Sequence, residues 1–310
     1  MTSWSRALVT GGAGFIGSHL TRALLAEGRS VTVLDNLSVG RRGAVPDGAR
    51  FVHGDIRDEA AVADALRDVD CVFHLAAQVT IRGSFDRFQE DLDTNVMGTA
   101  RLLRAVDPQR VKWFTLASSM AVYADADSPA PIDESHPKRP LSPYGVGKLA
   151  AEDVSSQIME ARGIPFTAVR FFNTYGPGQT YTPYVGVLTI FITRLLRGEP
   201  LTIFGDGEQQ RDFVHVSDIV SGVMATPGRT PGRFNLGTGR GTSLNQLAAM
   251  VLAKLAPQQQ PQYAAAQPGE LRFSVANIDA ARHALEFAPQ RSLQHDLDEV
   301  IAGVRERETS

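Results

Sequence analysis

A glycine-rich turn between an apolar run and a helical pattern constrains the fold of this 310-residue chain more than any other feature. Residues 7–10 (Ala-Leu-Val-Thr) read as a strand, and the amphipathic stretch 15–27 follows the turn. Glycines at this spacing allow a tight turn and a close approach of the backbone to a pyrophosphate, which the free N–H groups of the following helix can bind. The sequence therefore predicts a dinucleotide-binding turn whose cofactor contacts are Gly11, Gly14, Phe15, Ile16 and Gly17.

Short apolar runs alternate with helix-length amphipathic stretches throughout the first half of the chain. The predicted strands are 7–10, 30–35, 50–53, 71–75, 111–117 and 166–171, and the predicted helices are 15–27, 59–67, 88–105 and 142–162. This alternation predicts an α/β fold of Rossmann type, a doubly wound parallel sheet with its ligand at the carboxyl ends of the strands.

The second half of the chain is less regular and predicts a smaller C-terminal α/β lobe. We expect residues 1–170 to form the cofactor domain and residues 171–310 to form mostly the substrate lobe, with segments near 213–230 returning to the first domain. The Gln- and Pro-rich stretch 257–268 is interpreted as a connector.

The composition argues against nucleic-acid-binding, membrane and metal-binding classes of protein. A formal net charge of -3 offers no electrostatic footprint for nucleic acid. The sequence has no signal segment and no run of about 18 apolar residues, so no membrane association is expected. The single cysteine, Cys71, lies in an apolar run and is predicted to be a buried thiol in a cytoplasmic protein. No Cys/His cluster has metal-ligand spacing, so no metal is predicted.

An acidic residue at the end of the second predicted strand indicates which dinucleotide binds. Asp35, followed by Asn36, can accept hydrogen bonds from an adenosine ribose diol and would repel a 2′-phosphate, which favours NAD over NADP. Arg41 and Arg42 favour NADP instead, because a nearby arginine can accommodate the 2′-phosphate. Asp55, followed by Ile56, ends the third strand, where it can meet the adenine amino group or cap the next helix; the two roles are compatible.

Ser119, Tyr144 and Lys148 are the predicted catalytic residues. Tyr144 and Lys148 are four residues apart on one helical face, so the lysine can reach the cofactor ribose beside the phenol. A free tyrosine has a pKa of about 10, and a neighbouring ammonium and a positive nicotinamide ring both favour its phenolate. Ser119 follows the fifth strand and can hold a substrate hydroxyl.

The motifs resemble the extended short-chain dehydrogenase/reductases, and most closely the nucleotide-sugar epimerases of the UDP-glucose 4-epimerase kind. The resemblance covers nearly the whole chain and implies NAD as cofactor, with further contacts from Leu75, Ala76, Ala77 and Asn95. It is carried by the stretches 10–17 (TGGAGFIG), 35–38 (DNLS), 74–78 (HLAAQ), 95–99 (NVMGT), 142–144 (SPY), 172–177 (FNTYGP) and 205–213 (GDGEQQRDF).

The same resemblance implies roles for the second half of the chain. Asn173, Arg211 and Arg272 would contact the diphosphate of a UDP-sugar, although Arg272 can also be read as a surface residue. Thr202, Phe204 and Leu188 would form the uracil pocket, although plain core packing is an alternative for Phe204 and Leu188. Ser274 would stand beside the sugar C2 group, where a small side chain leaves room for an N-acetyl group.

Several side chains that other reactions of that family require are absent from this sequence, and their absence favours one reaction. Met120 and Ala121 occupy the positions where a dehydratase carries its acid and base, and Gly178 and Thr180 stand where relatives that handle a carboxylate have arginine. We therefore expect epimerisation at C4, in which a hydride passes to NAD, the 4-keto sugar rotates, and the hydride returns to the other face. Alternatives are another NAD-dependent modification of a nucleotide sugar, or a non-catalytic NAD-binding protein. The resemblance also implies a homodimer formed by the helix through 95–105 and the helix that carries Tyr144.

Overall fold

The computed structural model describes residues 4–181, 186–267, 269 and 271–308, and it is built on a seven-stranded sheet. Every neighbouring pair of strands runs parallel, so the prediction of a Rossmann-type doubly wound fold is confirmed. From edge to edge the strands are β10 (Gly232–Leu236), β6 (Phe166–Phe171), β5 (Trp113–Ser119), β4 (Cys71–His74), β1 (Arg6–Thr10), β2 (Ser30–Asp35) and β3 (Arg50–His53).

Strand β10, at one edge of this sheet, is the strand of the sheet that the sequence analysis did not predict. It pairs with β6, so the chain returns to the sheet after passing through the C-terminal lobe. The helices of the described residues are α1 (Phe15–Ala26), α2 (Glu59–Ala65), α3 (Phe88–Leu92), α4 (Thr99–Ala105), α5 (Pro143–Ala161), α6 (Val187–Leu196), α7 (Val216–Met224), α8 (Leu244–Leu255), α9 (Asp279–Leu285) and α10 (Leu293–Glu308). None of them is both long and apolar enough to cross a membrane.

Two cores cover the two faces of the sheet because successive strand residues point to opposite sides. Val9 of β1 joins the core that contains Leu20 of α1, whereas its neighbour Leu8 joins the core that contains Leu102 of α4. Cys71 is fully buried in the first core, as predicted, and burial raises the pKa of its thiol. With both faces covered, the carboxyl ends of the strands remain the open edge.

The C-terminal lobe has its own core and two small sheets. Helices α6, α8 and α10 share the core, and the strands are β7 (Asn173–Tyr175), β8 (Thr202–Phe204), β9 (Gln210–His215), β11 (Gly241–Ser243), β12 (Gln262–Ala264) and β13 (Phe273–Ser274). Strand β12 pairs with β8, so the stretch 257–268 is more than a connector. Its alternation of polar and apolar residues is too short to indicate a strand in the sequence alone.

The predicted helix over 88–105 is continuous but contains a π-helical segment, Asp93–Gly98, between α3 and α4. Asn95 lies in this segment, and its carbonyl accepts a hydrogen bond from Thr99 Oγ1 at 2.7 Å. A π-helical turn changes the direction of the side chains that follow it. Here the Asn95 side chain bonds the backbone of Gln78, in the loop that follows β4.

Candidate active site

The glycine turn is packed so closely against neighbouring backbone that a side chain at Gly11 or Gly17 would clash. Gly11 has a φ of +71°, and a Cβ there would lie 2.8 Å from the backbone nitrogen of Ala76. A Cβ on Gly17 would lie 2.1 Å from the carbonyl oxygen of Gly11. Gly14 is the N-cap residue of α1, and this helix has neither a side-chain cap nor an acidic residue in its first turn. Its first N–H groups are therefore free to bind an anion, which fits the pyrophosphate of a dinucleotide.

The residues predicted to bind the adenosine lie together beside this turn. Asp35 accepts hydrogen bonds from the backbone N–H of Ala13 at 2.9 Å and of Leu37 at 2.8 Å, which fixes its carboxylate at the end of β2. Asn36 donates to Asp55 Oδ2 at 2.7 Å, so these two side chains are adjacent. A bidentate contact with Arg57 holds the pKa of Asp55 at about 2, and the carboxylate is charged at neutral pH.

The alternative that Asp55 caps the next helix is wrong. Helix α2 begins after Asp58, whose carboxylate accepts hydrogen bonds from the N–H groups of Ala60 and Ala61. Asp55 lies three residues too early and instead accepts the N–H of Arg57, in an Asx turn. Its predicted contact with adenine stays a prediction.

The remaining predicted cofactor residues lie along the same edge of the sheet. The N–H groups of Leu75 and Ala76 both bond Thr10 Oγ1 at 3.1 Å, which aligns the ends of β4 and β1. Ala77 follows them, and the Asn95 amide bonds both the N–H and the carbonyl of Gln78. Ile56 is buried against Gly98, where a Cβ would lie 2.7 Å from its Cδ1.

The three predicted catalytic residues meet at the start of α5. Ser142 caps this helix, since its Oγ accepts the N–H of Gly145 at 3.1 Å, and Pro143 occupies the first turn. The helix places Tyr144 against the end of β5, where it lines the same cavity as Ser119. Lys148 lies one turn further on and is buried.

Burial has the largest effect on the pKa values of Tyr144 and Lys148. It raises the pKa of Tyr144 to about 12, although the nearby Ser119 side chain acts to lower it. It lowers the pKa of Lys148 to about 8, against the opposing charges of Glu152 and Asp91. Burial therefore favours the protonated phenol of Tyr144 at neutral pH, and a positive charge nearby would favour its phenolate.

A cavity of about 710 Å³ opens beside Tyr144, between the sheet edge and the C-terminal lobe. Its wall contains two of the catalytic residues and four of the predicted substrate residues: Ser119, Tyr144, Asn173, Thr202, Phe204 and Arg211. These six residues come from both lobes, so the cavity joins the cofactor edge to the substrate lobe.

Three other predicted substrate residues do not line this cavity. Leu188 is turned into the core of the C-terminal lobe, while Val187 and Ile190 on the same helix face the cavity. Arg272 is held outside by two hydrogen bonds of 2.9 Å to Asp206. Ser274 is fully buried where β13 pairs with β9, and its predicted place beside the sugar stays a prediction.

Several residues of the site were missed by sequence reasoning. The segment from Val79 to Arg82 lines the cavity, and the Arg82 guanidinium lies 4.6 Å from the centre of the Phe204 ring. Gln267, in the presumed connector, also lines the cavity. Asp91 is fully buried near Lys148, and its spacing of four from Asn95 is the one signal that could have indicated it.

The comparisons with known proteins agree with this geometry. Residues 7–237 match the family described as NAD dependent epimerase/dehydratase. A protein of Methanocaldococcus jannaschii named as a putative UDP-glucose 4-epimerase is 35% identical over 296 residues, which are 95% of this chain and 96% of that protein.

Two solved structures extend the similarity to the fold. The UDP-glucose 4-epimerase of Thermotoga maritima, solved with UDP-glucose, has a TM-score of 0.93 at 34% identity and covers 98% of this chain and 99% of its own. MoeE5, solved with UDP-glucose and NAD, has a TM-score of 0.88 at 38% identity and covers 99% of this chain and 100% of its own. The predicted family resemblance and the prediction of NAD as the family's cofactor are thereby confirmed. The chain belongs to the NAD dependent epimerase/dehydratase family.

Proposed function

We propose that this protein inverts C4 of a UDP-hexose through a transient 4-keto sugar, with UDP-glucose and UDP-galactose as the substrate pair. The observation that carries the proposal is the joint position of Ser119 and Tyr144 on the wall of the large cavity. It places a phenol and a hydroxyl beside a dinucleotide turn, at the edge of the sheet where a ligand of this fold binds.

In this proposal Tyr144 removes the proton of the sugar 4-hydroxyl and later returns it. NAD bound at the glycine turn would supply a reversible hydride acceptor for C4. Ser119 holds the hydroxyl oxygen, and Lys148 stays charged because the carboxylates of Asp91 and Glu152 oppose the effect of burial on its pKa. That charge favours the phenolate of Tyr144 when the sugar arrives.

The far end of the cavity suits a uridine diphosphate. Arg211 is buried on the wall, where its planar fork can pair with phosphate oxygens. Asn173 lines the same cavity and is a second contact for the diphosphate in this proposal. Phe204 and Thr202 offer a ring and a hydroxyl to the base. We assign residues 1–170, together with the returning α7 and β10, to NAD and the rest of the chain to the UDP-sugar.

The residues near the reacting carbon favour epimerisation over elimination. Met120 and Ala121 form the short turn after Ser119, and neither can serve as an acid or a base. The backbone oxygen of Ala121 lies 2.2 Å from where a Cβ on Gly145 would be, so this turn packs tightly on α5 and leaves little room for another group.

A second candidate is C4 epimerisation of UDP-glucuronic acid. MoeE5 has also been solved with UDP-glucuronic acid and NAD. In this chain, Arg82 and Arg194 on the cavity wall are the cations that a sugar carboxylate could meet. Against it, Gly178 and Thr180 bring no charge to the loop that follows β7. An N-acetylhexosamine pair is a third possibility for the same chemistry.

Proton NMR of the purified protein tests these assignments directly. UDP-glucose, UDP-N-acetylglucosamine and UDP-glucuronic acid are each incubated with the protein without added NAD. We expect UDP-glucose to approach a mixture with UDP-galactose, which requires that NAD is already bound. Conversion of UDP-glucuronic acid alone would support the second candidate. No conversion in any tube, with bound NAD confirmed by its absorbance after denaturation, would refute C4 epimerisation of these sugars.

A further inference from the structure

A short loop segment between β4 and α3, residues 79–86, forms part of the wall of the large cavity. Most of its residues line the cavity, but Ser84 does not, and this residue is only 1% exposed. The side chain of Ser84 instead contacts the first turn of α5, the helix that carries Tyr144. The segment therefore touches both the cavity and the catalytic helix.

Ser84 bonds the backbone of the proposed catalytic tyrosine directly. Its Oγ accepts the N–H of Tyr144 at 3.1 Å and donates to the carbonyl of Ile81 at 2.7 Å. The N–H groups in the first turn of an α-helix have no partner within the helix, and the local cap Ser142 accepts that of Gly145. The N–H of Tyr144 is therefore bonded by a residue that lies outside α5 and 60 positions earlier in the chain.

The turn that presents Ser84 is held by bonds of its own. Thr80 Oγ1 accepts the N–H of Gly83 at 3.0 Å, and the Thr80 carbonyl accepts the N–H of Ser84 at 3.2 Å. Thr80 is buried, and a Cβ on Gly83 would lie 2.8 Å from its Oγ1. Because these contacts leave the turn little freedom, the Ser84 hydroxyl meets α5 at a fixed place.

The same segment also contacts the C-terminal lobe. The Arg82 guanidinium carbon lies 4.6 Å from the centre of the Phe204 ring, which we assign to the base of the substrate. The Phe85 ring packs on Gly269, which has a φ of +84° and where a Cβ would lie 2.7 Å from Phe85 Cε2. Arg82 and Phe85 flank Ser84 in the chain, so one turn contacts both the wall that receives the nucleotide and the backbone of Tyr144.

We propose that Ser84 is a positioning residue, which holds the backbone of Tyr144 so that the phenol stays aligned with a sugar bound in the cavity. The proposal rests on the C4 epimerisation proposed above. Proton transfer needs its donor and acceptor within hydrogen-bond reach, and a displacement of about 1 Å can reduce a rate by about 10²-fold. Without the Ser84 hydroxyl the buried N–H of Tyr144 would lose its partner, and the first turn of α5 would shift to find another.

Ser84→Ala tests this role by separating kcat from KM. We expect kcat for UDP-glucose to fall by about 10- to 100-fold, because the phenol is displaced from the sugar hydroxyl. KM and NAD content should stay close to those of the wild type, because Ser84 does not line the cavity. Ser84→Thr keeps the hydroxyl and should retain more of kcat than Ser84→Ala.

Ser243→Ala is the matched control. Ser243 Oγ accepts the N–H of Gln246 at 3.1 Å in the first turn of α8, so the same substitution removes a helix-capping bond of the same length in the C-terminal lobe. This variant should lose stability and keep the kcat of the wild type. An equal loss of kcat in Ser243→Ala would show a general effect of destabilisation and would overturn the proposal, as would a wild-type kcat in Ser84→Ala.

Hydrogen exchange at the Tyr144 amide gives a readout that does not depend on the reaction. The chain has six tyrosines, so protein labelled with ¹⁵N-tyrosine gives six backbone amide signals, and Tyr144→Phe identifies the signal of Tyr144. We expect Ser84→Ala to speed exchange of this amide by at least about tenfold, because its hydrogen bond is lost, and Ser243→Ala to leave it unchanged.

The exchange measurement also separates this proposal from the proposed function. Unchanged exchange at Tyr144 in Ser84→Ala would overturn the positioning role even in an active epimerase. A wild type that converts no UDP-sugar would refute the proposed function, and with it the reaction that Ser84 is proposed to serve.

Discussion

The side-chain amide of Asn95 donates a hydrogen bond to the buried carboxylate of Asp91, with 3.1 Å between Nδ2 and Oδ1. The other oxygen of Asp91 is buried without a partner among the described residues. Burial raises the pKa of Asp91 to about 6, although Asn95 and the charge of Lys148 both act to lower it. The proposed catalytic tyrosine and lysine therefore lie near a carboxyl group whose charge is costly to maintain at neutral pH.

Replacing Asp91 with Asn should change how stability depends on pH. In the wild type the folded protein keeps the proton of Asp91 up to about pH 6, whereas the unfolded chain loses it near about pH 4, so stability falls as pH rises through this window. The Asn side chain does not titrate. The difference in unfolding free energy, Asp91→Asn minus wild type, should thus rise by up to about 3 kcal/mol between about pH 4 and about pH 7.

Urea unfolding across that range measures the difference. Asp93→Asn is the matched control, because Asp93 is two residues further along but pairs at the surface with Arg57 and Arg101. A difference between Asp91→Asn and wild type that stays constant with pH would show that the carboxyl group is already ionised in the folded protein at low pH.

Tyr144→Phe should reduce the epimerase kcat by about 10²- to 10⁴-fold, because it removes the group that moves the proton. NAD content and the affinity for UDP, measured by absorbance and calorimetry, should stay close to wild type, since the phenyl ring retains the packing. Tyr123→Phe serves as the control: its hydroxyl is equally buried but bonds Asn235 and Arg170, away from the cavity. A Tyr144→Phe enzyme with normal turnover would remove Tyr144 from the mechanism.

The sequence predicted the parts of the fold and site that depend on local patterns. The runs that became β1 to β6 are apolar and bounded by turns. Four predicted site residues lie at or just beyond the ends of these strands, at one edge of the sheet, because parallel strands end together: Gly11, Asp35, Ala76 and Ser119. The capping pair Ser142-Pro143 likewise fixes where the helix of Tyr144 begins.

The features that were missed depend on contacts between distant segments. Gly232–Leu236 contains Arg and Asn, and it is a strand because β6 offers it an edge. The sequence analysis predicted Leu188 on the wall of the substrate cavity. In an α-helix the side chains of successive residues point about 100° apart. The neighbour of Leu188, Val187, therefore lines the cavity, and Leu188 packs in the core of the lobe. Charged residues usually lie at the surface, so buried Asp91, Glu152 and Arg170 could not be recognised before their partners were known.

The exposed apolar residues on the helices next to the active site predict a dimer. Met97 is 50% exposed in the π-helical segment, and Val146 is 49% exposed on α5, which packs against that segment. Met97→Glu would place a charge in the proposed interface, so sedimentation at micromolar concentration should show a shift from dimer toward monomer. Tyr263→Glu, at an exposed position of the other lobe, should leave the dimer intact. A wild-type protein that sediments as a monomer would contradict this expectation.

Glu152 and Arg170 form an ion pair in which both side chains are fully buried, and its disruption should be severely destabilising. Arg170 donates to the two oxygens of Glu152 at 2.9 and 2.7 Å, and its other nitrogen bonds the Tyr123 hydroxyl at 2.8 Å. Glu152→Gln removes the charge that balances a buried guanidinium, which costs about 3–5 kcal/mol of unfolding free energy.

Urea unfolding at neutral pH measures this loss as a lower midpoint. The control is Glu286→Gln, which breaks a bidentate pair with Arg229 at the surface and should unfold at the same urea concentration as the wild type. Glu152 lies one helical turn after Lys148, so a Glu152→Gln protein that still folds should also lose part of the support for the lysine's charge and show a lower pKa for Lys148. A midpoint equal to that of the wild type would mean that Arg170 finds another counter-charge, and Glu134, whose pKa the charge of Arg170 acts to lower, is the candidate.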